Sequence, residues 1–206
     1  MNQYPDGDVN VNMLPTMSGT EYVRAGSDAD RIMRARAGAY LRWLRREYRF
    51  PYALRHFFPV HGVRESWRLD GRYVLRESDL RAGLYAQPLS DRLVAYADHM
   101  IDVHGTSAVK KKLPAALAQP YGVPYDCLLP KEYDNLLVAG HAASFSHIAA
   151  ASVRLSRTMI ALGEAAGYAA ALAVQGGTAP EAVPMDALRE RCRTADCEAL
   201  IRQLWS

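Results

Sequence analysis

VPYDCLLPKEYDNLLVAGHAASFSHIAAASVRLSRTMIALGEAAGYAAALAV, residues 123–174, carries the strongest structural signal in the chain. Lys131 to Asn135 is a polar turn, and the apolar run Leu136-Leu137-Val138-Ala139 that follows stops at Gly140. Such a run predicts a strand buried on both faces of a parallel sheet. After a linker, residues 158–174 are almost free of bulky polar side chains and predict a helix, with Gly163 and Gly167 four apart on one small face and Gly176-Gly177 as its stop. In open α/β sheets a ligand sits outside the carboxyl end of a strand, where the next helix offers unsatisfied N–H groups and the positive end of its dipole. A buried strand packed on a helix through glycines has the same pattern, so pattern alone leaves both readings open.

Working outward, residues 185–205 have helical periodicity from Pro184 and Asp186 onward and predict one amphipathic terminal helix. Toward the amino terminus, Pro5, Asp6 and Gly7 signal a turn before the alternation Val9, Val11, Met13, which fits a strand. Ser27 or Asp28 can cap a long amphipathic helix marked by Ile32, Met33, Ala37, Tyr40, Leu41, Leu44 and Tyr48, ending before Pro51. Arginines from Arg31 to Arg49 fill its other face, which reads as a solvated face before it reads as a phosphate-binding one. Asp70-Gly71 between alternating residues predicts a hairpin. Residues 90–97 predict a short helix leading into a strand at HMIDVHG, and Lys110 to Lys112 an exposed loop.

With 206 residues, 50% of them apolar, and 14 glycines and 11 prolines, the chain has globular composition. A net charge of +3 from 25 basic and 22 acidic residues makes neither nucleic acid nor an anionic membrane the leading partner; position of charge, not its total, must decide. Cys127, Cys192 and Cys197 form neither an even set nor a CxxC pair, so a reducing compartment is the default. The N-terminus lacks the pattern of a signal peptide, and the longest apolar stretch, Met159 to Val174, is 16 residues and contains Glu164. The expectation is a cytoplasmic protein with no membrane span. Six histidines show no HExxH spacing, and no metal is expected. On a strand Arg64, Ser66 and Arg68 share one face, where two guanidinium forks would hold a carboxylate. No GxSxG elbow surrounds Ser66, Ser144 or Ser146.

Residues 123–174 resemble the C-terminal signature of the FAD-dependent oxidoreductase family. GVRESWRLDGRYVLRESDL, residues 62–80, resembles that family's GxRESRRIxGDYVLTxxDV, ADHMIDVHG its strand ending in DIH, and PDGDVNVNM also has a counterpart. The resemblance implies an α/β flavoprotein with a Rossmann-type FAD domain, a mixed sheet and an interleaved, partly helical substrate domain. In the family the FAD domain opens with GxGxxG, which cradles the pyrophosphate. No GxGxxG occurs among these residues, so the chain looks like the C-terminal portion of the enzyme. Residues 1–120 then read as the substrate-domain portion, 121–180 as the last strand and flavin-facing helix, and 181–206 as the terminal helix.

By that resemblance Gly140, His141 and Ala142 close the last strand beside the cofactor, with His141 where the family usually has Arg. Arg154, Leu155, Ser156, Arg157, Thr158 and Met159 open the helix whose N–H groups face the flavin, with Ser156 and Arg157 replacing Met-Pro. Arg64, Glu65, Ser66 and Arg68 match the RESRR motif on the substrate side, with Trp67 in place of an Arg. The implied activity is hydride transfer between a small substrate and FAD, with Arg64, Arg68, His104 and His147 as candidates to position the substrate and no residue qualifying as a catalytic base. A companion chain carrying GxGxxG would complete the FAD site, and an uncovered sheet edge predicts oligomers. The alternative from another class is a non-enzymatic remnant or interaction subunit that binds no flavin by itself.

Overall fold

The computed structural model describes residues 2–11, 16–57, 59, 62–103 and 116–205. They divide into two compact units, one within Met1–Ser66 and one of Trp67–Val103 with the described part of Lys111–Ser206.

In the first unit, β1 (Asn2–Gln3) and β2 (Val9–Asn10) pair antiparallel. The Pro5-Asp6-Gly7 turn joins them, with the Tyr4 N–H donating to the Asp8 carbonyl at 2.8 Å and the Gly7 N–H to the Tyr4 carbonyl at 3.0 Å. The strand after the turn is only two residues long, and Met13 of the expected alternation lies outside the described residues. Helix α1 (Gly19–Ala25) starts where the Ser18 hydroxyl accepts the Glu21 N–H at 3.1 Å. Helix α2 (Ala29–Tyr48) follows the predicted periodicity and ends at Arg49, two residues before Pro51. Arg31 pairs with Asp28 and Arg34 with Asp30 along it, while Arg36 reaches Glu21 of α1 at 2.6 Å. Of the described residues up to Ser66, only Ala29 is buried.

The second unit holds the main core. Strand β3 (Leu93–Ala97) pairs antiparallel with β4 (Tyr121–Pro124), with Ala95 opposite Val123. The helix expected over residues 90–97 is therefore only the 3-10 turn Ser90–Arg92. Pairing with the buried Tyr121–Pro124 segment overrides local propensity in this short apolar stretch. The strand expected at HMIDVHG is absent too: residues 99–103 are irregular, held by the Asp102 N–H bond to the Ala151 carbonyl at 3.2 Å, and His104 lies outside the described residues. Asp70-Gly71 makes no hairpin. Gly71 instead forms a single antiparallel bridge with Pro130, and Leu75 a parallel one with Phe145.

Helices α3 (Glu77–Ala82) and α4 (His147–Val153) flank these crossings, and α5 (Ser156–Gly176) packs on β3. Thr158, Leu162, Ala165, Ala169 and Ala173 form the buried stripe of α5, and its alanines let the helix lie close to the sheet. Gly163 and Gly167 do not belong to that stripe. They are exposed, with no atom within 4 Å of where a Cβ would stand. The helix stops at Gly177 as predicted. The expected single terminal helix is two, α6 (Met185–Arg191) and α7 (Thr194–Trp205), broken at Arg193 with φ 52°. Beyond the break, Glu198 meets Arg189 at 3.0 Å and accepts the Tyr96 hydroxyl at 2.6 Å. Burial first, and then this bond, pushes the Tyr96 phenol up.

Burial pushes the Cys127 thiol up, raises Cys192 to about 11 and, as the largest cause, raises Cys197. Because the thiolate is the nucleophile, iodoacetamide at about pH 8 should modify all three slowly in the folded chain and quickly in denaturant. Mass spectrometry reads the result, and rapid native labelling of Cys127 would contradict this packing.

Candidate functional site

The predicted strand Leu136–Ala139 is an extended segment without a ladder. Leu136 is 44% exposed and residues 137–139 are half-buried. A strand buried on both faces needs neighbours on either side, and among the described residues no strand runs beside this one. Its recorded tie is the Val138 N–H bond to the Leu128 carbonyl at 2.9 Å. The observed architecture is thus mixed helices with small antiparallel sheets, an α/β arrangement in which the expected parallel strand is unpaired.

The chain past that segment turns sharply. Gly140 has φ +80°, a conformation costly for residues with a Cβ, and opens the 3-10 turn Gly140–Ala142 closed by the Ala143 N–H to Gly140 carbonyl bond at 3.1 Å. His141 and Ala142 are exposed, and no atom lies within 4 Å of a Cβ built on Gly140. The turn is fastened at two points: the Leu69 N–H donates to the Ala142 carbonyl at 2.8 Å, and His141 Nε2 lies 3.0 Å from the Arg154 carbonyl. A carbonyl only accepts, so Nε2 carries the proton in that contact. This imidazole joins the turn to the residues opening α5, which packs against the same turn.

At the start of α5 the N-cap residue Leu155 supplies no side-chain bond, and the Met159 N–H to Leu155 carbonyl bond at 3.0 Å closes the first helical ring. The first-turn N–H groups before it have no intrahelical acceptor, and they sit at the positive end of a 21-residue helix. The side chains here have other tasks. Arg154 donates to the Asp102 carbonyl at 2.9 Å, Arg157 pairs with Asp98, and buried Thr158 donates to the Tyr96 carbonyl at 3.4 Å. Ser156 is exposed. The two predicted cofactor segments, 140–142 and 154–159, are therefore brought together, and what they present is backbone more than side chain.

The substrate candidates fall in both units, and His104 lies outside the described residues. Residues 62–70 form no strand, so the shared face expected for Arg64, Ser66 and Arg68 does not exist; Arg64 belongs to the first unit and Arg68 to the second. His147 is exposed at the first position of α4, after Ser146 has capped the helix through the Ala149 N–H at 3.2 Å. Sequence reasoning missed an open cleft of about 420 Å³ beside the continuation of that motif, lined by Arg72, Tyr73, Arg76, Asp79 and Lys131 among others. Its cations are largely answered: Arg72 pairs with Glu181, and Lys131 with Asp70 at 2.5 Å. Buried Asp79 accepts the Arg76 N–H at 2.8 Å and the Ser78 hydroxyl at 3.3 Å. It also accepts from the Tyr73 phenol, which burial foremost and then this bond push up. The clue in the sequence was an aspartate three residues after Arg76, at the N3 position of a helix.

Among the described residues, no group of three or more His, Cys, Asp or Glu gathers as a metal site, and no helix is long and apolar enough to cross a membrane. A family model described as FAD dependent oxidoreductase matches residues 1–192. The chain belongs to the FAD-dependent oxidoreductase family. Neither the curated proteins nor the solved structures compared with it gave a significant match. The family match reaches the end of α6, and α7 lies beyond it. Oxidoreductase chemistry and FAD are properties of this family. The open Gly140 turn beside the α5 N-terminus fits the carbonyl edge of a flavin ring, because backbone N–H groups and a positive helix end suit oxygen atoms that gain negative charge.

Proposed function

We propose that this chain supplies the flavin-ring side and part of the substrate side of a FAD-dependent oxidoreductase, with the pyrophosphate cradle contributed by a polypeptide segment carrying GxGxxG. The observation that carries this reading is the fastening of the Gly140–Ala142 turn to the start of α5 through His141. FAD, when bound, supplies a ring that takes up or returns a hydride. Gly140, His141 and Ala142, with the backbone of residues 154–159, would hold that ring, the first-turn N–H groups of α5 donating to its carbonyl oxygens. Within the second unit, Arg68 and His147 are the side chains that would orient a small substrate in this reading. The chain acts in the cytoplasm and in an assembly with its companion or with further copies of itself.

A second reading has its own support. The sequence contains no GxGxxG, and the exposed Gly163 and Gly167 leave one face of α5 open, as an interaction subunit that binds no flavin would require. Co-expression with a GxGxxG-bearing segment of the family separates the two. A yellow complex whose flavin co-purifies supports the oxidoreductase, and a colourless complex supports the subunit. In the yellow complex, Gly140→Ala should cost about 1 kcal/mol of stability for the backbone conformation and weaken FAD uptake about tenfold, since its methyl enters the space in front of the turn. Unchanged FAD affinity in a folded Gly140→Ala protein would remove residues 140–142 from the cofactor site.

A further inference from the structure

The C-terminal half of helix α2 leaves an aromatic edge uncovered. Tyr40, Trp43 and Tyr48 are 40%, 39% and 67% exposed, and they form a continuous aromatic edge with ring centroids 5.4 Å apart for Tyr40 and Trp43 and 5.1 Å for Trp43 and Tyr48. Leu41 and Leu44 are only half-buried beside them. At 100° per residue, Trp43, Tyr40, Leu44, Tyr48 and Leu41 occupy one side of the helix, interrupted by Glu47, which is tied to Arg46, while Arg42, Arg45 and Arg46 fill the other. Charge is distributed as unevenly as apolarity. In the N-terminal half, Arg31, Arg34 and Arg36 each have a carboxylate partner. In the C-terminal half, Arg46 pairs with Glu47, and among the described residues no ion pair is recorded for Arg42, Arg45 or the helix-capping Arg49.

We propose that the C-terminal half of α2 docks this protein on an anionic lipid surface. A helix with an arginine-rich arc, an opposite face edged by Trp and Tyr, and little net hydrophobicity is the type that lies in the plane of a membrane interface. Aromatic rings with one polar tip settle at headgroup depth, and arginine stems reach from there to lipid phosphates. The three unmatched guanidinium groups supply the charge complement, which the chain's small net charge conceals. An acidic polypeptide would need carboxylates in register with the three arginines. A fluid anionic surface satisfies them without register. Nucleic acid would use the arginines and leave Leu41 and Leu44 half-covered.

Sedimentation of the full chain with phosphatidylcholine vesicles containing about one third phosphatidylserine tests this. Binding should appear at low salt, fall steeply as salt rises, and be much weaker on pure phosphatidylcholine. Each of R42Q, R45Q and R49Q should weaken it about fivefold. These exposed glutamines retain helix propensity, and circular dichroism confirms that the variants stay folded. In a protein with Trp67→Phe and Trp205→Phe, the remaining Trp43 emission should shift to the blue on anionic vesicles only. No binding at low salt, equal binding to neutral vesicles, or unchanged binding by a folded protein carrying R42Q, R45Q and R49Q together would overturn the proposal. Arginine-dependent binding to single-stranded RNA without vesicle binding would overturn it in favour of nucleic acid.

Discussion

Gln87→Leu is expected to destabilise the second unit by about 4 kcal/mol. Gln87 is buried, and its amide acts as a substitute strand beside β4: Nε2 donates to the Gly122 carbonyl at 3.0 Å, and Oε1 accepts the Gly122 N–H at 2.7 Å. Leucine has nearly the same volume but leaves both Gly122 backbone groups in the core without partners. Each orphaned group carries a desolvation penalty of about 1–3 kcal/mol, on top of the two lost bonds. Urea denaturation reads the change. Gln87→Glu provides the contrast: it keeps the acceptor for the Gly122 N–H but loses the donor to the carbonyl, so it should also destabilise. A loss below about 1 kcal/mol for leucine would mean that Gln87 fills space instead of completing the ladder.

Neither Gln87 nor its role was legible in the sequence, and the reason separates what patterns report from what they do not. Helices α2 and α5 were legible because their apolar spacing and stop signals are local. The turn at Pro5–Gly7 was legible for the same reason. Failures fell where a partner distant along the chain decides the outcome. Leu93–Ala97 became a strand because Tyr121–Pro124 lies beside it, and Leu136–Ala139 lacked a ladder because no described strand does. The α6–α7 break depends on contacts of Glu198 with Arg189 and Tyr96 that periodicity does not register. For the site, the resemblance identified residues 140–142 and 154–159, which the fold brings together. It could not show that Arg154 and Arg157 are committed to Asp102 and Asp98, leaving mainly backbone to face a ligand. The arginine pair was read on a strand at residues 64–68, and no strand forms there.

The Asp70-Gly71 pair, read locally as a hairpin turn, instead predicts the second large effect. Gly71 is buried where three segments cross: its N–H donates to the Ser144 hydroxyl at 3.2 Å, and it bridges to Pro130. A Cβ at this position would stand 2.5 Å from Ser144 Cβ and 3.3 Å from the Leu129 carbonyl oxygen. The obstacle on the Ser144 side is a Cβ fixed to the backbone, so no rotamer change relieves it. Residues 71, 129 and 144 must separate, and that strains the neighbouring Leu75 N–H to Ser144 carbonyl bond at 3.0 Å and the Ser144 N–H to Cys127 carbonyl bond at 2.9 Å. Gly71→Ala should therefore cost about 3 kcal/mol, the upper end for overpacking by one methyl group. Adding Ser144→Gly removes the Cβ that is struck, and the double variant should regain about half of the loss, less the hydroxyl bond to the residue 71 N–H. A double-mutant cycle with no coupling would mean that the methyl is accommodated elsewhere and that Gly71 serves its conformation alone. Strong coupling would fix the Gly71–Ser144 approach as the point where the GRYVL motif is pinned to the chain leaving the Gly140 turn, two residues after Ala142.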